Sequence, residues 1–336
     1  MRLRLWADGS ADIVDEVLMA PSVKRPAVAL DRRKFLLTCG LLALSRRTAS
    51  AASFDTPFGP VDLPSDPRRI VALDTAGAIA LNYGVKPVGM TAPDANALTP
   101  AARMLAEHVP LVGQSTFDGQ LRYERILVLQ PDVIVGMVRG GTDYSALHDR
   151  LARIAPTVLL RADGAGTLLD VTFRLAVAMG LGMPAQAERA RYEQRCMEIR
   201  ARWGDVLTTT TFAAISSQDR QIVVYTPNSW AGRVLQDLGA RFADFTQNAD
   251  RNGVFLSYEE MGVLRDVGAL LYPLVKGRPA PEMADLMQVA GFRDLPSVRV
   301  GNMVGITDMW PETHLTALRL LDEIEPFLKT IGESKR

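Results

Sequence analysis

The sequence predicts an α/β protein, two α/β lobes joined by a long connecting helix. Three observations lead there. Short apolar, β-branched runs such as Ile70-Val71-Ala72-Leu73 and Val133-Ile134-Val135 alternate with helical stretches in both halves of the chain, the pattern of strands in mainly parallel sheets. Between the halves, residues 167–205 carry no strand signal. They place Leu168, Val171, Leu175 and Met179 near helical spacing and continue as a strongly charged, helix-forming stretch, interrupted at Gly182-Met183-Pro184. The chain of 336 residues is also long enough for two domains of ordinary size after its first 51 residues are set aside.

Residues 1–51 read as a leader. In DRRKFLLTCGLLALSRRTASAASF (31–54), two arginines precede ten mostly apolar residues, Phe35 to Leu44, and a run of small residues follows. A membrane-spanning helix needs about 20 apolar residues, so this run is no anchor. A positive region, a short apolar run and an Ala-x-Ala site make a secretory signal, with cleavage expected after Ala51 or Ala52. Arg32-Arg33-Lys34-Phe35-Leu36 resembles the twin-arginine export motif, which a receptor reads; Asp31 stands where that motif has Ser or Thr. Met19 is an alternative start. Cys39 is not read as a lipoprotein cysteine, because Phe35 to Thr38 is too short an apolar region.

The leader holds nine of the 38 Lys/Arg and five of the 38 Asp/Glu; the remainder, 29 basic against 33 acidic residues, has a net charge of −4. Nucleic acid is thereby excluded as a partner, since it needs a basic surface. One cysteine remains, Cys196, so no intramolecular disulfide forms; it is read as an inert buried thiol. No internal repeat stands out.

The first lobe is expected over 52–166. Residues 54–68, rich in Pro, Asp and Gly, read as an irregular lead-in. Arg69–Asp74 is a buried strand, Thr75–Tyr83 a helix with Thr75 as N-cap, and Pro87–Thr91 the next strand. Helices follow over 100–108, 121–129 and 144–154, with strands at 133–137 and 157–160. The second lobe spans 206–310. Phe212–Ser216 and Ile222–Tyr225 are strands, and Ser229–Leu238 is a helix stopped by Gly239. Helices cover 258–265 and 283–289, with a strand at 269–274. Val298–Ile306 reads as two short strands around Gly301-Asn302, a hairpin signal. Residues 311–336 close the chain with a helix from Pro311 to Lys329. The cleft between lobes is the expected ligand site, and a single rigid crossing allows little hinge movement.

Several segments, in order, resemble periplasmic ferric-siderophore binding proteins of the hydroxamate type. Arg69-Ile-Val-Ala-Leu-Asp74 with Gly84-Val-Lys-Pro-Val-Gly89 resembles their opening. Leu127-x-Leu-Gln-Pro-Asp-Val-Ile-Val135 is similar to their "L-x-x-L-x-P-D-L-I" segment. Leu151-Ala-Arg-Ile-Ala-Pro156, Tyr225-Thr-Pro-Asn-Ser229 and Leu295–Val304 are similar to further family segments. The resemblance implies the class III periplasmic-binding fold with its helical backbone. It also implies a soluble, monomeric periplasmic component of an ABC importer, which captures a ferric siderophore and hands it to an inner-membrane permease and, through it, the ATPase. No cofactor follows, because the siderophore itself holds the iron.

Such a ligand asks for aromatic walls and a few donors, not metal ligands. Trp230 and Trp310 stand at strand-to-helix junctions, where clefts of α/β sheets are lined, and Trp310 aligns with a ligand-contacting aromatic of the family. The family's hydroxamate-binding arginine falls near Gln114, so this chain departs from the pattern there. Its partner tyrosine falls near Arg139, with Tyr144 a few residues on. Arg139 or Arg251 is the replacement cation, and Tyr225, Met309, Asn252 and Thr75 complete the expected wall. For permease docking, Asp149 matches the first family carboxylate and Asp237 is assigned to the second. A haem or cobalamin carrier of the same fold remains an alternative, with Tyr144 or Tyr225 as an axial ligand. A free-metal carrier is disfavoured, because His108, His148 and His314 lack ligand spacing. A secreted hydrolase would use Ser216 or Ser217 with His314 and Asp308, but no Gly-x-Ser-x-Gly elbow occurs.

Overall fold

The computed structural model describes residues 52–116, 120–247 and 251–334. The leader, with Arg32 and Arg33, lies outside the described residues.

The described residues open with an antiparallel hairpin, β1 (Ala52–Thr56) and β2 (Gly59–Leu63), where the composition predicts irregular chain. Pro57 sits in its turn, and Gly59 starts β2. Gly59 takes φ 106°, and the Thr56 hydroxyl closes the turn by donating to the Gly59 carbonyl at 2.7 Å.

Five parallel strands follow: β3 (Ile70–Ala72), β4 (Gly89–Thr91), β5 (Leu111–Gly113), β6 (Val133–Arg139) and β7 (Thr157–Ala162), in the order β5-β4-β3-β6-β7. Residues 133–138 are buried without a break, as a parallel strand covered on both faces requires. The connecting helices are α1 (Thr75–Asn82), α2 (Pro100–Ala106), α3 (Tyr123–Val128) and α4 (Ser145–Ala152). Asp74, not Thr75, occupies the cap position of α1, and it makes no side-chain cap bond.

The connecting segment is two helices, α5 (Leu168–Ala178) and α6 (Gly182–Thr209). The break comes at Gly180, which takes φ 77° while the Leu181 amide bonds back to the Ala176 carbonyl at 2.8 Å. A second irregularity falls at Trp203. Helix α5 and Ala185 pack into the core of the first sheet; Tyr192, Cys196 and Ile199 of α6 pack into that of the second. Burial pushes the Cys196 thiol up to about 11, so it stays protonated and inert.

The second sheet is mixed. It contains β8 (Thr211–Gln218), β9 (Gln221–Tyr225), β10 (Arg241–Phe242), β11 (Gly253–Ser257), β12 (Ala269–Val275), β13 (Arg278–Pro279) and β14 (Met303–Ile306). β8 and β9 form a hairpin whose turn residues Asp219 and Arg220 both have positive φ, 50° and 60°, as the two-residue turn matching strand twist requires. Helix α7 (Trp230–Asp237) follows β9. The hairpin expected at Val298–Ile306 does not form. Pro296–Arg299 is a helical turn, and β14 lies parallel to β12. Asn302 anchors this register, donating from Nδ2 to the Gly268 carbonyl at 3.1 Å and accepting from the Leu270 amide at 3.0 Å.

The last helix, α8 (His314–Ser334), packs on α6. Glu325 of α8 takes Arg195 and Arg202 of α6 together, the latter at 2.6 Å. Among the described residues no helix is long and apolar enough to cross a membrane.

A candidate ligand cleft

The carboxyl ends of β3, β6 and β7 deliver Asp74, Arg139 and Asp163 to one edge of the first sheet, the edge where open α/β sheets bind ligands. The turns after β9 and β14 of the second sheet face it. Ser229 builds the first of these turns. Its hydroxyl donates to the Thr226 carbonyl at 2.7 Å and accepts the Gly232 amide at 3.0 Å, capping α7. Trp230 therefore emerges toward the first lobe and packs against that lobe's core. Tyr225 meets its ring edge-on, with centroids 6.3 Å apart. Two bonds to backbone amides hold the lobes in register here: Gly166 donates to the Asn228 carbonyl at 2.9 Å, and Ala165 to Asn252 Oδ1 at 3.1 Å.

Two cavities open along this line. One, of about 200 Å3, is lined by Arg139, Asp163, Leu168, Trp230, Asn252 and Glu312. The other, of about 260 Å3, is lined by Thr75, Asp94, Lys276, Asp308, Trp310 and Glu312. Glu312 borders both. Its Oε2 accepts the Thr75 hydroxyl at 2.7 Å, a bond from helix α1 to the segment that enters α8. Trp310 is 42% exposed, and its indole N–H donates to the Tyr225 hydroxyl at 3.1 Å.

Burial dominates the electrostatics. It raises the Glu312 carboxyl above its ordinary range, with Asp94 and Asp74 adding to the rise and Arg139 opposing it. It also raises Asp74, against hydrogen bonds from Thr116 and Ser115. Asp74 holds a left-handed φ of 51°, the kind of strain that collects at functional sites. Burial pushes Asp308 up to about 6.

Of the residues singled out from the sequence, Trp310, Trp230, Tyr225, Thr75, Arg139 and Asn252 gather here. The others do not. Met309 is 1% exposed and belongs to the core beneath the second sheet. Tyr144 precedes α4 and packs against the first lobe's outer core. Gln114 lines a separate cavity of about 600 Å3 with Leu111, Arg122 and Arg125. Arg251 is exposed and borders neither central cavity; its carbonyl accepts the Thr226 hydroxyl at 2.7 Å. Asp237 is held by Arg233 at 3.1 Å and by the Tyr192 hydroxyl at 2.9 Å, so it is not available to a partner. Asp149 is exposed beside His148, 3.6 Å away.

Sequence reasoning missed Asp74 and Glu312, although each directly follows a noted landmark, the strand at 70–73 and Trp310-Pro311. It also missed a short internal echo. Tyr123-Glu124-x-x-x-Val128-Leu129 and Tyr258-Glu259-x-x-x-Val263-Leu264 occupy the same place in the two lobes, each leading into a central strand.

The hydrolase residues do not meet. Ser216 bonds the Tyr225 hydroxyl at 3.1 Å and Ser217 the Tyr258 hydroxyl at 2.9 Å. His314 packs edge-on to Tyr192, and burial pushes it down to about 4. Among the described residues, no group of three or more His, Cys, Asp or Glu is placed to hold a metal ion.

The profile of the periplasmic binding protein family matches residues 70–262, more than half of the chain. The chain belongs to the periplasmic binding protein family. This periplasmic binding protein is 33% identical to the siderophore periplasmic binding protein from the fuscachelin gene cluster of Thermobifida fusca, with a TM-score of 0.70 over 79% of this chain and 97% of that one. It is 29% identical over 209 residues to the Fe(3+) dicitrate-binding periplasmic protein FecB of Escherichia coli, a match covering 61% of this chain and 66% of FecB, just under two thirds of that relative. The Fe3+-Desferal-bound FhuD of Vibrio cholerae shares the fold, with a TM-score of 0.58 at 21% identity over 79% of this chain and 98% of that one. Membership places the chain among binding proteins and sets the hydrolase reading aside.

Proposed function

We propose that this periplasmic binding protein is the solute-binding component of an ABC importer. It captures a ferric siderophore, of hydroxamate type, in the cleft between its sheets and delivers it to an inner-membrane permease. It works as a soluble monomer in the periplasm after twin-arginine export and cleavage of residues 1–51. On this reading the lobes are 52–166 and 206–310, with the linking segment 167–205 between them and 311–336 as the closing helix and tail. The observation that carries the reading is the cleft itself. Trp310, Trp230 and Tyr225 offer aromatic surface to an apolar chelate body, while Arg139, Asn252 and Thr75 supply polar contacts.

For docking, Glu124 and Glu259 serve better than Asp149 and Asp237. Both are exposed in the first turn of a helical segment that leads into a strand ending at the cleft. Leu127, Val128 and Val263 stand 58%, 79% and 47% exposed on the same two segments. A carboxylate beside bare apolar surface suits a protein partner that supplies arginines.

Intrinsic tryptophan fluorescence of the purified protein, titrated with a ferric trihydroxamate, a ferric catecholate, ferric dicitrate, haem and cobalamin, tests the reading. Saturable quenching by a ferric chelate is expected, because Trp230 and Trp310 line the two cavities. Binding of haem or cobalamin alone overturns the siderophore assignment.

A further inference from the structure

Four carboxylates line the two cavities, Asp94, Asp163, Asp308 and Glu312, against the cations Arg139 and Lys276. A fifth, Asp74, adds to the rise of the Glu312 carboxyl. Among the described residues, Asp308 alone of these is ion-paired, to Arg319 at 3.9 Å. The hydrogen bonds Glu312 and Asp74 accept come from hydroxyls and one backbone amide. Glu312 thus faces a space walled by the indole rings of Trp230 and Trp310, and burial raises its carboxyl. A polyanionic chelate entering it would set like charges together where water screens them poorly. A cationic group would be drawn there from both sides, by the carboxylates and by the faces of Trp230 and Trp310. The position of Glu312, at the junction of the cavities, lets one arm of a ligand reach it while the iron centre rests against Trp310.

Resting on the siderophore reading above, we infer that the cleft selects a ferric chelate bearing a cationic arm, a primary ammonium or a guanidinium, and disfavours polyanionic carboxylate chelates such as ferric dicitrate. The arm seats at Glu312 between Asp163 and Asp94.

The test uses one iron centre at two charges. A linear ferric trihydroxamate with a terminal ammonium and its N-acetylated form are titrated into the wild-type protein beside ferric dicitrate, at low and high salt. The ammonium form is expected to bind about tenfold tighter or more, with the ratio shrinking as salt rises. Glu312→Gln, which keeps the shape of the side chain, is expected to bring the ratio toward one. Equal affinity of the two trihydroxamates, or tighter binding of dicitrate than of either, overturns the inference and leaves the siderophore reading standing. Failure of all three to bind, with haem or cobalamin binding instead, overturns both.

Discussion

Helix propensity and packing predict opposite signs for Gly232→Ala. In a helix interior alanine is more favourable than glycine by about 1 kcal/mol, and Gly232 lies in α7 at an ordinary helical φ. Yet a Cβ there would stand 1.8 Å from the Thr226 carbonyl oxygen and 2.5 Å from Ser229 Oγ. Non-bonded heavy atoms keep about 3.5 Å, so the first turn of α7 has to move. That movement breaks the Ser229 cap, worth about 1 kcal/mol. It also breaks the Ser229-to-Thr226 hydrogen bond, worth about 1 kcal/mol net. Residual overpacking adds about 2 kcal/mol. After the propensity gain, a net loss of about 3 kcal/mol is expected. Urea denaturation followed by circular dichroism measures it. Because the same turn aims Trp230 into the cleft, chelate affinity should fall in parallel. A midpoint equal to or above wild type would refute the packing argument and leave propensity in charge.

Trp310→Ala should weaken ferric-chelate binding about tenfold or more while shifting stability by less than about 0.5 kcal/mol, as befits a side chain 42% exposed; a large drop in the urea midpoint with unchanged affinity would return it to the core. Glu124→Arg combined with Glu259→Arg should leave chelate affinity intact and abolish uptake by cells, measured with radioactive iron. Normal uptake would remove both from docking.

The alternation of strands and helices was legible because parallel strands buried on both faces are written as continuous apolar runs, as in Val133–Val138. Local signals held where local chemistry decides: Ser229 caps α7, and Gly239 ends it at φ 71°. They failed where a distant partner decides. Gly301-Asn302 looks like a hairpin turn, but Asn302 is claimed by Gly268, and β14 pairs with β12 instead. Thr75 looks like a cap, but its hydroxyl belongs to Glu312, far along the chain. Met309 looks like a cleft residue beside Trp310, but the bend after β14 turns Met309 into the core beneath the second sheet and leaves Trp310 42% exposed. Asp74 and Glu312 were illegible as cleft residues, since the space between them exists only once the lobes have come together.

Those carboxylates are also where stability and ligand choice pull apart. A carboxyl raised by folding binds more protons in the folded state than in the unfolded one between its two pKa values. Its contribution is therefore most favourable below the unfolded value and is lost as pH rises through the folded one. For Asp308 that window runs from 3.8 to about 6; Glu312 and Asp74 are raised in the same direction. At neutral pH the Asp308 charge in the empty cleft is therefore destabilising, and the raised Glu312 and Asp74 carboxyls act in the same direction. Glu312→Gln keeps an acceptor for Thr75 and removes one of these charges. The empty variant should melt above wild type at neutral pH, and the difference should vanish below 4.5, the ordinary Glu value. With the ammonium-bearing chelate bound, the order should reverse, because only the wild type gains an ion pair. A variant that melts below wild type when empty would mean that the Glu312 charge already has its stabilising partner within the protein, and the case for a cationic ligand would lose its physical basis.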